Sequence, residues 1–149
     1  MQADTARVFV PPPLIFAGPL VVGLLIDGQR IHFGVLEALG VAIAAAGLSV
    51  IVSALVLFRK SRTHPEPWRP ASAFVTDGLY RVTRNPMYLG MTLLCLGIAV
   101  AFHSVAGIVA SLLSALIVDR LVIAREETYL LRTFGDEYAA YKRQVRRWL

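Results

Sequence analysis

The sequence predicts an all-α membrane protein with about four transmembrane helices and a C-terminal amphipathic helix at the membrane interface. Hydrophobic residues make up 56% of the 149 residues, only 17% are charged, and the mean hydropathy is +0.62. An ordinary soluble domain has about 45–50% apolar and about 25% charged residues. Most of the 15 Lys and Arg residues fall in two blocks, 59–84 and 120–147. The length fits a single integral-membrane domain covering residues 1–149.

The first half contains two apolar runs, residues 8–26 and 33–58, separated by a turn around Asp27. The first run contains several prolines, and the helix should begin at them because proline is tolerated in a first turn and not in the middle. A cleaved signal peptide is the competing interpretation, and the absence of a small-x-small cleavage site disfavours it. The second run is long enough for a hydrocarbon core of about 30 Å, with Glu37 at its boundary.

The second half contains two further apolar runs, residues 87–102 and 105–123. Only two residues, His103 and Ser104, separate them, so these runs should form a tight helical hairpin. Asp119 lies in the last turns of the fourth run, where a carboxylate requires a partner or a wet cavity.

The C-terminal stretch, residues 125–149, is amphipathic and is divided by Gly135. Beyond the glycine, apolar side chains recur at helical spacing among basic residues: Tyr138, Tyr141, Val145 and Trp148. This pattern is typical of a helix at an anionic membrane interface and is also compatible with a helix packed on the protein itself.

The basic residues predict the orientation in the membrane. With four spans, both termini and the polar linker 59–86 share one side, which holds every Lys and Arg except Arg30. By the positive-inside rule this side is the cytoplasm. We therefore predict cytoplasmic termini, with the bacterial inner membrane as the location.

The polar stretch before the third apolar run, residues 75–90, carries the residues most suited to chemistry. Asn85 and Pro86 are a favoured helix start, and the free amides of a first turn attract an anion. Arg84 lies directly before this start and can pair with a carboxylate. The ordinary interpretation is that Asn85 only caps the helix and that Arg84 contacts lipid phosphate. Tyr80 and Tyr88 would then be aromatic residues of the membrane interface.

Two adjacent acids, Glu126 and Glu127, follow the fourth apolar run and raise the odds of a functional site. Neighbouring residues on a helix point about 100° apart, so both cannot serve the same group. Other chemistries lack support: the three histidines (His32, His64 and His103) lie on different segments, and no Walker loop or G-x-G-x-x-G is present.

Two motifs resemble those of integral-membrane methyltransferases, the isoprenylcysteine carboxyl methyltransferase and phospholipid N-methyltransferase family. Residues 76–90, T-D-G-L-Y-R-V-T-R-N-P-M-Y-L-G, are similar to the family pattern G-x-Y-x-x-x-R-[HN]-P-x-Y-x-G. Residues 125–131, R-E-E-T-Y-L-L, with F-G-D-E-Y at 134–138 and then Tyr141, are similar to E-E-x-x-L…F-G-x-x-Y-x-x-Y. The match covers about residues 63–149, with order and spacing kept.

The resemblance implies S-adenosylmethionine as the methyl donor, bound on the cytoplasmic side between the last membrane hairpin and the C-terminal segment. It implies transfer to a lipophilic acceptor (a lipid amine headgroup, a carboxylate or a thiol), with membrane lipids as partners. Neither nucleic acid nor metal is expected, because membrane-side basic residues explain the basic linker and the histidines lie on different segments. Arg84 and Glu127 are predicted to be catalytic. The predicted cofactor-binding residues are Tyr80, Arg84, Asn85, Pro86, Tyr88, Gly90, Glu126 and Glu127.

Two alternatives remain open from the sequence. A membrane reductase of the sterol-reductase type would use NADPH, although Met91 follows Gly90 where such proteins commonly have an acid. A non-catalytic membrane scaffold would have little reason to keep Arg84 together with Glu126 and Glu127.

Overall fold

All five long elements in the described part of the chain are helices. The computed structural model describes residues 10–28, 34–61 and 75–149. The helices are α1 (Pro12–Asp27), α2 (Val35–Lys60), α3 (Pro86–Ala101), α4 (Val105–Ile117) and α5 (Ala124–Gln144). A short 3-10 helix, Gly78–Arg81, precedes α3, and a π-helical turn, Val118–Ile123, joins α4 to α5. Three residues used in the sequence predictions, Arg30, His32 and His64, lie outside the described residues, as do residues 62–74 of the polar linker.

The all-helical, membrane-type character is confirmed, whereas the number of four spans is not. Among the described residues, two helices are long and apolar enough to cross a membrane: α2, and the continuous helix Val105–Gln144. The other two apolar helices, α1 and α3, have 16 residues each. At about 1.5 Å per residue they are roughly 24 Å long, shorter than a hydrocarbon core of about 30 Å.

Helix α3 lies at the centre of the bundle. Helix α2 packs against α3, α3 packs against α4, and α1 packs against both α4 and α3. The α2–α3 contact is close because glycines face backbone across it. A Cβ added at Gly97 would lie 2.6 Å from the Gly40 carbonyl oxygen, and one added at Gly47 would lie 2.6 Å from the Gly90 carbonyl oxygen. Small residues permit such close approach between membrane helices.

Helix α1 runs through Pro19, which corrects the expectation that proline is confined to the start of this helix. Proline has no N–H, so the carbonyl of Ile15, four residues earlier, lacks its usual helical donor. The Ser114 hydroxyl of α4 donates a hydrogen bond to that carbonyl at 2.8 Å. A neighbouring helix therefore supplies the missing donor, which is how proline is accommodated inside membrane helices.

Replacing Ser114 by alanine should lower the stability of the protein by about 1 kcal/mol, because the Ile15 carbonyl then stays without a donor in an apolar setting. Ser111→Ala is the matched control, since the Ser111 hydroxyl bonds within its own helix to the Gly107 carbonyl. Thermal unfolding in detergent micelles measures both variants. Equal melting temperatures for the two variants would contradict this role of Ser114.

The predicted hairpin between the third and fourth apolar runs is confirmed. Ser104 is the N-cap of α4, and its side chain accepts a hydrogen bond from the Gly107 N–H at 2.8 Å. At this same end of the bundle Glu37 Oε1 lies 2.5 Å from His103 Nε2. The position of Glu37 at a membrane boundary stays a prediction.

The C-terminal stretch differs in part from its prediction. Gly135 does divide it, with φ 52° and ψ −124° inside α5. The helix ends at Gln144, however, and Val145 is extended, so Val145 and Trp148 do not continue the helical stripe. The tyrosines of the stripe, Tyr138 and Tyr141, are buried. The chain leaves the helix here because residues after Gln144 pair with the segment before α3 instead.

Candidate functional site

The segment before α3 and the residues after α5 lie side by side. Thr83 and Arg146 form an isolated parallel bridge, and the Arg84 N–H donates to the Arg146 carbonyl at 2.9 Å. The Thr83 hydroxyl donates to the Arg147 carbonyl at 3.1 Å. We call residues 145–148 the strap. It brings the two predicted motif regions together, because the second motif lies on the helix that leads into the strap.

The helix start at Asn85 and Pro86 is confirmed, with Pro86 in the first turn of α3. The Asn85 side chain does not cap the helix, contrary to expectation. Its Nδ2 donates to the Arg147 carbonyl at 2.9 Å. The amide thus binds the strap, and this leaves the first turn of α3 without a side-chain cap.

Glu127 is the centre of a buried charge cluster. Its carboxylate accepts two hydrogen bonds from Arg147, from Nε at 2.9 Å and from Nη2 at 2.7 Å. Lys142 lies 3.2 Å from Oε2, and Arg84 Nη1 lies 3.2 Å from Oε1. Burial acts to raise the pKa of Glu127, but the hydrogen bond from Arg147 and the charge of Arg84 outweigh it and hold the pKa below its usual range.

Arg84 has two side-chain nitrogens without an aligned acceptor among the described residues. Its side chain is 9% exposed, yet Nε and Nη1 make no hydrogen bond with the part of the chain that the structure describes. Nη1 is close to Glu127 but lacks the alignment of a hydrogen bond. Buried N–H groups without a partner are costly and rare. The Arg84 guanidinium is therefore suited to an acceptor that comes from outside the protein.

Glu126 has a different environment from that of Glu127, as their angular separation on the helix predicts. The Tyr88 hydroxyl donates to Glu126 Oε1 at 2.5 Å. Both acids lie beyond the apolar part of the long helix, which ends at Ile123. Burial, together with the charge of Glu127, raises the pKa of Glu126 to about 7, although the hydrogen bond from Tyr88 acts in the opposite direction.

Two other predicted site residues pack against neighbouring helices. Tyr80 is buried against Phe58, its carbonyl accepts from the Tyr141 hydroxyl at 2.6 Å, and burial raises the pKa of its phenol. Gly90 faces α2, where an added Cβ would lie 2.7 Å from Ile51 Cγ1. The close approach that this glycine permits is that of α2. Binding of a cofactor by these two residues stays a prediction.

The sequence did not predict the strap or its contact with Asp119 in the π-helical turn. Asp119 accepts a hydrogen bond from Trp148 Nε1 at 2.9 Å and lies 3.2 Å from Arg147 Nη1. A carboxylate in an apolar run did signal that a partner was needed. Nothing in the sequence distinguished Arg147 from the other basic residues around it, so the partner itself was not predictable.

Comparison with known proteins assigns the chain to a family. A family model described as phospholipid methyltransferase matches residues 35–137, more than half of the chain. The chain belongs to the phospholipid methyltransferase family. An uncharacterized protein of Haemophilus influenzae is 41% identical over 63 residues, 42% of this chain and all of that relative. Protein-S-isoprenylcysteine O-methyltransferase of Schizosaccharomyces pombe is 35% identical over 74 residues, 48% of this chain and 30% of that protein.

The predicted resemblance is thereby confirmed, and the fold agrees with a membrane methyltransferase. The match of the phospholipid methyltransferase family extends over α2, α3, α4 and most of α5, and it includes the first motif and residues 125–137 of the second. The chain spans less than a third of the yeast relative. Among residues 10–28, 34–61 and 75–149, no group of three or more His, Cys, Asp or Glu side chains could hold a metal ion.

Proposed function

We propose that the protein transfers a methyl group from S-adenosylmethionine to a lipophilic acceptor at the cytoplasmic face of a membrane. Family membership supports methyl transfer, and one structural observation supports this donor: the buried Arg84 guanidinium has two nitrogens without a hydrogen-bond acceptor among the described residues. The donor carries a carboxylate at its amino-acid end, and a guanidinium is the side chain best suited to a carboxylate.

The charge around Arg84 fits an anionic group. Four cations (Arg84, Arg120, Lys142 and Arg147) pair with two carboxylates, Glu127 and Asp119, so these six groups carry a net charge of +2. The site is partly buried, which strengthens electrostatic interactions relative to water. A carboxylate bound at Arg84 would lower this excess positive charge, and the positive end of α3 would add to the attraction.

We assign distinct roles to the two acids. Glu127 is engaged by three cations, so its role is to hold Arg84 in place. Glu126 has no cation among its described contacts and lies against Tyr88, which makes it the candidate for the donor's amino group or ribose hydroxyls. Tyr80 and Tyr88 would shape the pocket, while Asn85 and Pro86 would fix the helix start beside it.

The chemistry requires position more than acid or base catalysis. When bound, S-adenosylmethionine supplies an electrophilic methyl group on a sulfonium. The protein has to align the donor with the acceptor and keep water away, which alone lowers the barrier substantially. A site that lies between apolar helices and the polar strap, with its charged side chains held by one another, meets these needs.

The topology belongs to the same proposal. We infer that α1 and α3 also cross the membrane, giving four spans in one domain, and that α5 lies at the interface. The basic residues after α4 and before α3 then face the cytoplasm, and a bacterial inner membrane would be the location. A lipophilic acceptor would reach the site from the bilayer, and the polar donor from the cytosol.

Thermal unfolding in detergent micelles tests the choice of donor against the alternatives. Saturation with S-adenosylhomocysteine at about 100 times its Kd should stabilise the protein by about 2.7 kcal/mol, which raises the melting temperature by roughly 5–10 °C. NADPH should have no effect. Stabilisation by NADPH alone would favour a membrane reductase, and no stabilisation by either compound would favour a scaffold.

A further inference from the structure

The strap contains an arginine that joins two acids from different turns of one helix. Arg147 holds Glu127 by two hydrogen bonds, at 2.9 and 2.7 Å, and its third nitrogen, Nη1, lies 3.2 Å from Asp119. Trp148 donates to the same Asp119 oxygen at 2.9 Å. All three guanidinium nitrogens of Arg147 therefore have carboxylate partners.

The π-helical turn brings the two acids to one face. Glu127 lies eight positions after Asp119, and in a regular α-helix this spacing leaves the two side chains about 80° apart around the axis. One extra residue in a π turn reduces this offset to about 20°. The turn Val118–Ile123 includes Asp119 and ends before Glu127, so it changes the angle between the two acids. Without it, one guanidinium would not face both carboxylates.

The two hydrogen bonds from Arg147 to Glu127 determine whether Arg84 can bind another group. Both oxygens of Glu127 accept hydrogen bonds from Arg147, and Arg84 Nη1 approaches Oε1 at 3.2 Å without an aligned bond. If Arg147 were absent, Glu127 would be free to turn and form its own two-bond pair with Arg84. That pair would occupy the donors that an incoming carboxylate needs.

We propose that Arg147, anchored by Asp119, is a positioning residue that holds Glu127 away from a full pair with Arg84 and so keeps Arg84 available for the amino-acid end of the methyl donor. This inference rests on the proposed function. It assigns to the strap an effect on donor affinity, through residues that themselves need not touch the donor.

The experiment compares two ligands by calorimetry in detergent micelles. S-adenosylhomocysteine has the amino-acid end, whereas 5′-methylthioadenosine has the same nucleoside without it. Arg147→Gln should weaken binding of S-adenosylhomocysteine about tenfold. The reason is that Glu127 would then pair with Arg84, and the ligand would lose a charge-assisted contact with Arg84. Asp119→Asn, which loosens Arg147 from its other side, should act in the same direction. Neither variant should change the affinity for methylthioadenosine.

Two further variants separate positioning from loss of structure. Arg146→Gln is the matched control, because Arg146 is exposed and contributes its backbone carbonyl to the bridge; it should bind both ligands like the wild type. Adding Glu127→Gln to Arg147→Gln removes the competing carboxylate and should recover part of the lost affinity. A purely structural role predicts no recovery.

Each outcome decides between distinct conclusions. Wild-type affinity for S-adenosylhomocysteine in both Arg147→Gln and Asp119→Asn would overturn the inference and leave the proposed function intact. An equal loss for both ligands, without recovery in the double variant, would also overturn it in favour of a structural role. If the wild type binds neither ligand, the proposed function fails and the inference fails with it.

Discussion

Replacing Arg84 by alanine should lower the affinity for S-adenosylhomocysteine by at least about 30-fold. Removing one partner of a buried, hydrogen-bonded charge pair costs about 2–5 kcal/mol, and each 1.4 kcal/mol corresponds to about tenfold in affinity. The fold should survive, because Glu127 keeps its contacts with Arg147 and Lys142. Calorimetry of the purified protein measures the affinity directly.

Arg81→Ala is the control for this substitution. Arg81 lies three residues earlier in the same segment and pairs with Asp77, with side chains 75% and 74% exposed. Such exposed pairs contribute little, about 0–1 kcal/mol, so this variant should bind like the wild type. Unchanged affinity in Arg84→Ala would sink the assignment of Arg84 to the donor's carboxylate.

Replacing Gly97 by alanine should destabilise the protein by about 3 kcal/mol, at the upper end of the usual cost of overpacking. The added Cβ would lie 2.6 Å from the Gly40 carbonyl oxygen and 2.7 Å from Ala44 Cα. Both obstructing atoms are backbone, so no side chain can move aside and α2 must shift away from α3. The melting temperature should fall by roughly 6–12 °C.

Ala46→Val provides the comparison for Gly97→Ala. Ala46 lies on the exposed face of α2, so the substitution adds two methyl groups where nothing obstructs them. Its melting temperature should stay within about 2 °C of the wild type, since surface substitutions usually change stability by about 0.5 kcal/mol or less. A similar fall in melting temperature in both variants would show that the α2–α3 contact does not require glycine at position 97.

The helical elements were predictable because their signals are local. The prolines at positions 12 and 86 mark the starts of α1 and α3, and His103 with Ser104 marks the turn between α3 and α4. Apolar composition alone predicts helices in a bilayer, where backbone groups must bond within one segment. The number of spans was not decided this way, because an apolar run does not show whether its helix crosses the membrane.

The passage of α1 through Pro19 was not predictable, because its explanation lies ninety-five residues further along the chain. A proline costs a helix one hydrogen bond, and local reasoning counts only that loss. The compensating donor is the Ser114 hydroxyl on α4. Whether a serine faces a freed carbonyl depends on the packing of two helices, which the pattern of either one alone does not contain.

The sequence by itself determined the class of the protein and the residues to consider. Arg84, Asn85 and Pro86, and the acids Glu126 and Glu127, form motifs with fixed spacing, and short motifs can be read without knowing the packing. Tertiary structure alone decided their partners. It paired Glu126 with Tyr88, bound the Asn85 side chain to the strap, and joined Arg147 to Asp119. The physical reason is that charges and hydrogen bonds act over a few ångströms in space, whereas the residues that make them are 28 to 62 positions apart in the chain.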